Sequence, residues 1–393
     1  MDPRRNPFAP GAGTPPPELA GRDRVREAVA IALDRIRAGR GAQSVILYGL
    51  RGVGKTVLLN EMRIAAEEAG IATVAIEAPE GRSLPALLAP ALRAALLRMD
   101  RLRAAGQGIQ RALQALAGFV KLKASYADIE LALDLAPEPG LADSGDLEAD
   151  LADLLRSVGE VAQAHGTALV LFIDELQYVE ESQLAALITA LHRAGQRRLP
   201  VTLVGAGLPQ LLGQMGRAKS YAERLFVFEP IGALGREEAW AAIRDPIEQE
   251  EEHITDDALA RIYDATRGYP YFLQEWGKQS WDIAPHSPIT AEHVAAASDA
   301  ALAQLDASFF RVRFDRLTPS EKRYIRGMAE LGEGPHRSGD IADLLGVKVT
   351  SVAPTRNALI RKGMVYSPNH GDTAFTVPMF DAFVRRVMPE IPR

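Results

Sequence analysis

The chain has 393 residues, of which 47% are hydrophobic and 24% charged, and its formal net charge is −6. That length corresponds to two or three domains, and the composition is that of a folded globular protein rather than a disordered one. The sequence has no cysteine, which excludes disulfides, thiolate metal sites and cysteine nucleophiles. The longest apolar run, residues 168–173, is far shorter than the about 20 residues of a membrane span. The N-terminus lacks the apolar core of a secretory signal, so we expect a cytoplasmic protein with no membrane partner.

The charge is distributed unevenly along the chain. Residues 311–393 carry 14 Lys and Arg but 9 Asp and Glu, a net charge of +5, which leaves −11 on the rest. A basic C-terminal unit on an acidic body is consistent with nucleic-acid binding by that unit. Chance clustering of solvated arginines explains the charge equally well.

Residues 1–20, rich in Pro, Gly and Ala, predict an extended N-terminal strap. Short apolar runs then alternate with segments of helical periodicity, which is typical of a parallel α/β sheet with helices on both faces. We therefore predict a first domain over residues 21–230. Its predicted strands are 44–48, 72–76, 169–173, 201–204 and 225–228, and its predicted helices are 23–37, 57–69, 84–99 and 147–164.

Between the second and third strands the periodicity changes. FVKLKASY and DIELALDL alternate polar with apolar residues, which predicts an exposed hairpin inserted near residues 117–145. A further irregular helical region is the alternative interpretation.

After residue 230 the strands stop. Four helical segments predict a small all-helical lid over residues 231–308. Residues 309–393 form a third unit, with predicted helices at 322–331, 338–345 and 350–362, followed by a hairpin through residues 365–377.

The strongest motif is GLRGVGKT at residues 49–56, which matches G-x-x-x-x-G-K-[ST] between a predicted strand and a predicted helix. Glycines let successive backbone N–H groups converge on phosphate oxygens, at the positive end of the following helix. Lys55 would reach the terminal phosphates and the Thr56 hydroxyl would bind Mg²⁺. The motif therefore predicts a nucleoside triphosphate and Mg²⁺ as ligands. The predicted nucleotide-binding residues here are Gly49, Leu50, Arg51, Gly52, Val53, Gly54, Lys55, Thr56 and Val57.

A second candidate feature is an apolar run, LVLFIDEL, that ends in two acidic residues. Asp174 would hold Mg²⁺, and Glu175 would polarise the attacking water as a general base. The alternative for this pair is a buried structural ion pair.

Five segments together carry a family resemblance: LAGRD (19–23), GLRGVGKT (49–56), LFIDELQ (171–177), AERLF (222–226) and RGYP (267–270). With these the chain resembles AAA+-type ATPases of the origin-recognition and STAND (signal-transduction ATPase) groups, over almost its whole length from residue 19. The resemblance implies a P-loop NTPase fold and ATP as the nucleotide. It does not carry over a biological role, because function depends on sites rather than folds.

The resemblance also implies roles for single residues. Gly21 and Arg22 match the motif beside the adenine, and Pro270 matches the G-x-P element of the lid, with Arg267 as a lid sensor or plain helix punctuation. Arg224 stands where related ATPases carry an arginine finger, which stabilises transition-state charge. A salt bridge from Arg224 to Glu223 or Glu229 is the alternative.

One stretch departs from the pattern of related hydrolases. At residues 201–209, VTLVGAGLP, only Gly and Ala stand where a polar sensor residue is expected. A missing sensor predicts slow hydrolysis, with the nucleotide acting as a switch. Gln177 is a candidate for a polar contact to phosphate instead, and a glutamine on a helix face is the alternative.

The C-terminal helices and hairpin resemble the winged helix-turn-helix family, in which the third helix can enter the major groove of DNA. Pro354 in that helix shortens the reading surface. Packing or partner binding is the alternative role of the unit. The candidate DNA-contacting residues are Thr350, Ser351, Thr355 and Arg356 for bases, and Arg361, Lys362 and His370 for phosphates.

The sequence thus predicts an ATPase, an enzyme that couples ATP binding and Mg²⁺-dependent hydrolysis to conformational change. In one version the winged helix binds duplex DNA. In the other, the protein is a signalling or assembly switch that binds protein partners or a second copy of itself.

Overall fold

The computed structural model describes residues 1–11, 16, 19–102, 107–123, 137–369 and 371–391. These residues form two compact units. The sheet unit comprises residues 22–48 and 55–230, and the helical unit comprises residues 1–21, 49–54 and 231–393. Within the described residues, no helix is both long and apolar enough to cross a membrane.

The sheet unit contains a five-stranded parallel sheet in the order β2-β3-β4-β1-β5. The strands are β1 (Ser44–Tyr48), β2 (Ala72–Glu77), β3 (Leu169–Asp174), β4 (Val201–Gly207) and β5 (Phe226–Pro230). The helices are α1 (Asp23–Arg37), α2 (Lys55–Glu68), α3 (Leu84–Leu102), α4 (Gln107–Lys123), α5 (Leu147–Ala164), α6 (Glu181–Gln196), α7 (Gln210–Ala218) and α8 (Ala222–Leu225). The predicted P-loop NTPase class, a parallel sheet covered by helices, is confirmed.

The central strands are apolar because helices cover both of their faces. Every residue of β3 and β4 is buried. The parallel register pairs Tyr48 with Gly207 and Glu77 with Asp174, so the carboxyl ends of β1, β4 and β3 meet at one edge of the sheet. Ligands of open α/β sheets bind outside this edge.

The hairpin predicted near residues 117–145 is wrong in its first part. The chain stays helical in α4 as far as Lys123, because its buried residues recur at helical rather than alternating spacing. Ile109, Ala112, Leu116 and Phe119 belong to the core of the unit. Residues 124–136, the rest of the predicted hairpin, lie outside the described residues.

The helical unit begins its main part with α9 (Arg236–Gln249), α10 (Asp256–Thr266), α11 (Pro270–Ile283) and α12 (Ala291–Gln304). The N-terminal segment packs on α11. Phe8 is 3% exposed and lies against Gly277, and the Trp281 indole donates to the carbonyl of Asp2 at 2.9 Å. The three tryptophans of the chain, at 240, 276 and 281, all lie in α9 and α11.

The C-terminal part of the helical unit contains three helices and a hairpin in the predicted order. A π-helical turn (Leu305–Phe310) and α13 (Arg311–Asp315) lead into it. The elements are α14 (Pro319–Leu331), β6 (His336–Arg337), α15 (Ser338–Leu344), α16 (Val349–Arg361), β7 (Val365–Tyr366), β8 (Asp372–Phe375) and α17 (Phe380–Val387). The three short strands pair antiparallel in the order β6-β8-β7.

Candidate nucleotide site

The GLRGVGKT motif connects the end of β1 to the start of α2, as predicted. Gly52 and Gly54 have φ angles of +82° and +90°, in the region that favours glycine. Nothing lies within 4 Å of a Cβ placed on Gly54, so its conformation alone calls for glycine there. Lys55 and Thr56 form the first turn of α2, where the backbone N–H groups have no partner within the helix. This geometry suits an anion.

The other glycines of the motif are needed for packing, which sequence reasoning missed. Within the helical unit, a Cβ on Gly49 would come within 2.0 Å of the Ile231 carbonyl oxygen. A Cβ on Gly52 would be 3.1 Å from the Tyr269 ring, and the Gly52 carbonyl accepts a hydrogen bond from the Tyr271 N–H at 3.2 Å. The loop is thus held by backbone contacts that leave no room for side chains.

Arg51, in the middle of the motif, contacts the C-terminal hairpin of the same unit. Its backbone N–H donates to the Thr376 carbonyl at 3.1 Å, and its Nε donates to the Gly363 carbonyl at 3.3 Å. Arg313 of α13 is close enough to Arg51 for their charges to repel. Burial, together with that repulsion, lowers the pKa of Arg313 to about 10. This face of the loop is therefore electropositive.

The predicted metal-binding pair is brought together in the sheet unit. Asp174 ends β3 and is 7% exposed, and its Oδ2 accepts a hydrogen bond from the Thr56 hydroxyl at 2.6 Å. Burial raises the pKa of Asp174, and the neighbouring Glu175 charge adds to the effect, while the Thr56 hydrogen bond and the Lys55 charge oppose it. A hydroxyl and a carboxylate side by side fit Mg²⁺, which takes few protein ligands and keeps waters and phosphate oxygens. The described residues contain no cluster of three acidic or histidine side chains that would hold a metal by itself.

The raised pKa of Asp174 predicts a stability gain when its charge is removed. The folded protein holds the Asp174 proton more tightly than the unfolded chain, so stability is lost as pH rises above the ordinary Asp value of 3.8. Asp174→Asn is expected to stabilise the nucleotide-free protein by about 1 kcal/mol at pH 7.5, the scale of typical stability–function trade-offs. That corresponds to a melting temperature higher by about 2–4 °C.

Differential scanning calorimetry of both proteins from pH 7.5 down to pH 4 checks this expectation. The advantage of Asp174→Asn should shrink as pH falls, because the wild-type carboxyl becomes protonated as well. A variant that melts below the wild type at every pH would contradict it.

Glu175 follows the strand in a left-handed conformation, with φ of 54°. Its backbone N–H donates to Asp174 Oδ1 at 2.7 Å, and its carboxylate accepts a hydrogen bond from the Gln177 side chain. Gln177 is 5% exposed, and its side chain bonds to Glu175 instead of lying on the face of an α-helix, which was the alternative. It lies in a short 3-10 turn, Leu176–Tyr178, which the sequence pattern did not reveal.

The end of β4 has no polar side chain, as predicted, and the structure gives the reason. A Cβ on Gly205 would be 2.3 Å from the Leu176 side chain. A Cβ on Gly207 would be 2.7 Å from Leu211 and 2.8 Å from the Gln177 side-chain oxygen. Close packing therefore excludes a side chain at both positions.

Arg224 lies just before β5, with its side chain exposed. Phe226, two residues after Arg224, pairs with Ser44 at the amino end of β1. The GLRGVGKT motif instead follows the carboxyl end of that strand. Five residues of strand separate the two ends, about 16 Å. The alternative salt bridge to Glu229 is not formed, because Glu229 pairs with Arg24 at 2.9 Å. No ion pair joins Arg224 to Glu223 in the part of the chain that the structure describes.

The remaining residues of the resemblance lie at or next to the ends of helices. Gly21 has φ of +69°, and a Cβ there would be 2.9 Å from Glu238 of α9, while Arg22 is the N-cap of α1. Pro270 is the first residue of α11. Arg267 is exposed and pairs with Glu333 at 2.6 Å.

The sheet order, the loop and the Asp174–Thr56 pair together define a P-loop NTPase. Residues 18–204 match a family described as the AAA ATPase domain. This part of the chain is therefore similar to AAA ATPase domains. Residues 307–384 match a second family, described only as a domain of unknown function. No curated protein sequence matches the chain.

Three solved structures are similar to the chain at low sequence identity. A Walker-type ATPase of Pyrococcus abyssi is 13% identical, covers 95% of this chain and 97% of its own, and has a TM-score of 0.61. The Holliday junction branch migration motor RuvB of Thermotoga maritima is 16% identical, with coverages of 91% and 92% and a TM-score of 0.46. The ORC1 protein of Aeropyrum pernix in complex with DNA is 15% identical, with coverages of 94% and 94% and a TM-score of 0.45.

Proposed function

We propose that the chain is an ATP-binding, Mg²⁺-dependent ATPase that couples its nucleotide state to the arrangement of its lid and C-terminal domain. The observation that carries the proposal is the 2.6 Å hydrogen bond between the Thr56 hydroxyl, directly after the phosphate-binding loop, and Asp174 at the end of β3. The sheet thereby unites the two motifs that ATP hydrolysis needs.

ATP binding would depend mainly on the loop and on Lys55, whose side chain carries the positive charge that neutralises the phosphates. Thr56 and Asp174 would hold Mg²⁺, which neutralises phosphate charge when bound. Gly21 and Arg22 would lie beside the adenine and Pro270 in the lid, as the resemblance implies. The full proposed ATP-binding set is Gly21, Arg22, Gly49, Leu50, Arg51, Gly52, Val53, Gly54, Lys55, Thr56, Val57 and Pro270.

In the hydrolytic step Glu175 would accept a proton from water as the water oxygen bonds to the γ-phosphorus. The bond from that phosphorus to the β–γ bridging oxygen breaks, ADP leaves with the bonding electrons, and the proton passes on to phosphate or solvent. Lys55 would stabilise the charge that builds up on the phosphoryl oxygens.

Arg224 would act on a neighbouring subunit rather than on its own site, because it lies at the opposite end of the sheet from the loop. An arginine supplied in trans is worth about 10³–10⁵-fold in turnover. Arg224→Ala is therefore expected to lower kcat about 1000-fold and to leave ATP affinity unchanged. Arg217→Ala, which removes another exposed arginine of the sheet unit, one paired with Glu181, is the matched control.

Mixing two inactive variants tests whether Arg224 acts on the site of a neighbouring subunit. Arg224→Ala subunits keep Glu175, and Glu175→Gln subunits keep Arg224, so the mixture should hydrolyse ATP faster than the sum of the two alone. Wild-type turnover of Arg224→Ala would make Arg224 an ordinary surface residue.

Coupling to the C-terminal domain is supported by the contacts of Arg51 with Thr376 and Gly363. A change in the loop on binding an anion would alter these bonds and the repulsion between Arg51 and Arg313. We propose domains at 21–230, 231–308 and 309–393, with the N-terminal strap over 1–20. The third would be a winged helix.

Whether this winged helix contacts DNA or a protein depends on which cations are available. The Arg356 guanidinium donates to Thr373 and Ser367, both at 2.8 Å, within the domain. The Lys362 ammonium pairs with Glu321 at 2.7 Å. Thr350, Ser351 and Arg361 are exposed, Thr355 is half-buried, and His370 lies outside the described residues. The internal pairing favours the second candidate function, an assembly switch with protein partners.

Steady-state ATP hydrolysis with and without duplex DNA, at one fixed moderate salt concentration, separates the two. Stimulation of ATP hydrolysis by DNA would support DNA binding. The logarithm of the affinity for DNA should then fall linearly with the logarithm of the salt concentration. Tight ATP binding with negligible turnover, and an ATP-dependent change in oligomeric mass without DNA, would support the switch. A strictly monomeric protein in both nucleotide states would contradict the switch.

A further inference from the structure

The side-chain amide of Gln177 bridges two parts of the sheet unit that matter for hydrolysis. Its Nε2 donates to the Glu175 carboxylate, and its Oε1 accepts a hydrogen bond from the Leu208 N–H at 2.9 Å. Gln177 is also anchored through its backbone, because its carbonyl accepts from the Gln214 side chain of α7 at 3.1 Å. The amide therefore ties Glu175 to the segment that directly follows β4.

The two partners fix the orientation of the amide. A backbone N–H can only donate, so the Gln177 oxygen must face Leu208 and the nitrogen must face Glu175. The hydrogen bond from the Gln177 nitrogen therefore restricts the position of the Glu175 carboxylate.

Gly207 makes room for this amide. A side chain at position 207 would begin 2.8 Å from the Gln177 oxygen. The polar group at the carboxyl end of β4 is therefore not on β4 itself but comes from the 3-10 turn after β3. The absence of a sensor residue in VTLVGAGLP is therefore linked to the burial of Gln177, because the Gln177 amide occupies the space of a side chain at position 207.

We propose that Gln177 is the positioning residue for the general base, and that it takes the place of the polar residue that β4 lacks. The proposal rests on the proposed role of Glu175. Gln177 does not touch the reacting atoms in this proposal. It acts by holding the Glu175 carboxylate in one position, next to Asp174.

Gln177→Glu tests the proposal with little change of shape. The new carboxylate can still accept from Leu208, but it cannot donate to Glu175. We expect kcat to fall about 10–100-fold, the usual cost of a misplaced catalytic group, with the Kd for ATP within about threefold of the wild type.

Gln183→Glu is the matched control. Gln183 makes the same two kinds of bond in the same unit, accepting from the Leu84 N–H at 2.6 Å and donating to Glu180 at 3.3 Å. It should keep the wild-type kcat and Kd.

If Gln177→Glu melts well below Gln183→Glu, Gly207→Ala replaces it, since the added methyl group pushes on the amide. A lower kcat at unchanged ATP affinity supports the proposal in either variant, and wild-type kcat overturns it. Loss of ATP binding in step with kcat also overturns it, because the amide would then serve the fold.

Glu175→Gln distinguishes failure of this inference from failure of the proposed function. If it turns over like the wild type, the proposed function fails together with this inference. If it is inactive while Gln177→Glu behaves as wild type, only the inference fails.

Discussion

Lys55→Ala is expected to lower the affinity for ATP at least about 100-fold. The lysine lies in the first turn of α2 and is 9% exposed, and its charge lowers the pKa of Asp174. Each hydrogen bond from a charged donor contributes about 1.5–3 kcal/mol, so losing two of them to phosphate costs about 3 kcal/mol or more. Isothermal titration calorimetry with Mg²⁺ and ATP measures the loss directly.

Lys219→Ala is a suitable control for the lysine variant. Lys219 pairs with Glu148 at 2.8 Å in the same unit but outside the two motifs, so its removal changes charge equally without touching the loop. If Lys55→Ala bound ATP with the wild-type affinity, the assignment of the nucleotide site would be wrong.

Glu175→Gln should bind ATP as the wild type does and hydrolyse it about 1000-fold more slowly, within the usual range for losing a general base. The glutamine can still accept the hydrogen bond from Gln177, and the backbone bond to Asp174 is unaffected. The variant is therefore expected to keep its fold and to hold unhydrolysed ATP. Steady-state phosphate release measures the slower hydrolysis, and direct measurement of bound ATP checks that binding is unchanged.

Glu181→Gln, which removes an exposed carboxylate that pairs with Arg217 in the same unit, serves as the control for the glutamate variant. Turnover of Glu175→Gln at the wild-type rate would remove Glu175 from the mechanism. Loss of ATP binding in the same variant would instead point to a structural role, the alternative considered for the acidic pair.

The sheet and its site could be predicted because their signals are local. Five apolar runs of strand length indicated the strands, and the spacing of the apolar residues predicted the bounds of α5. The GLRGVGKT motif and the acidic pair after β3 each depend on chemistry that a few adjacent residues supply. The parallel register then places Asp174 next to Thr56, so no additional sequence signal is needed to predict that the two residues meet.

What could not be predicted depends on contacts between distant segments. The alternation of polar and apolar residues in FVKLK resembles that of a strand over five residues. The segment is nevertheless helical, because a helix buries Leu116 and Phe119 on one face of α4. Likewise, no local pattern shows that Arg356 turns onto the hairpin. Nor does it show that Gly207 is small to admit Gln177.

The confinement of all three tryptophans to α9 and α11 gives the molecule a built-in optical reporter for one of its two units. Trp276 and Trp281 are each 1% exposed, so unfolding of the helical unit should quench their emission and shift it to the red. The sheet unit has no indole among its described residues and is silent at that wavelength. Circular dichroism, in contrast, follows helices of both units. Coincident denaturation curves from the two signals would mean that the chain unfolds as one cooperative body, and separate curves would assign a stability to each unit.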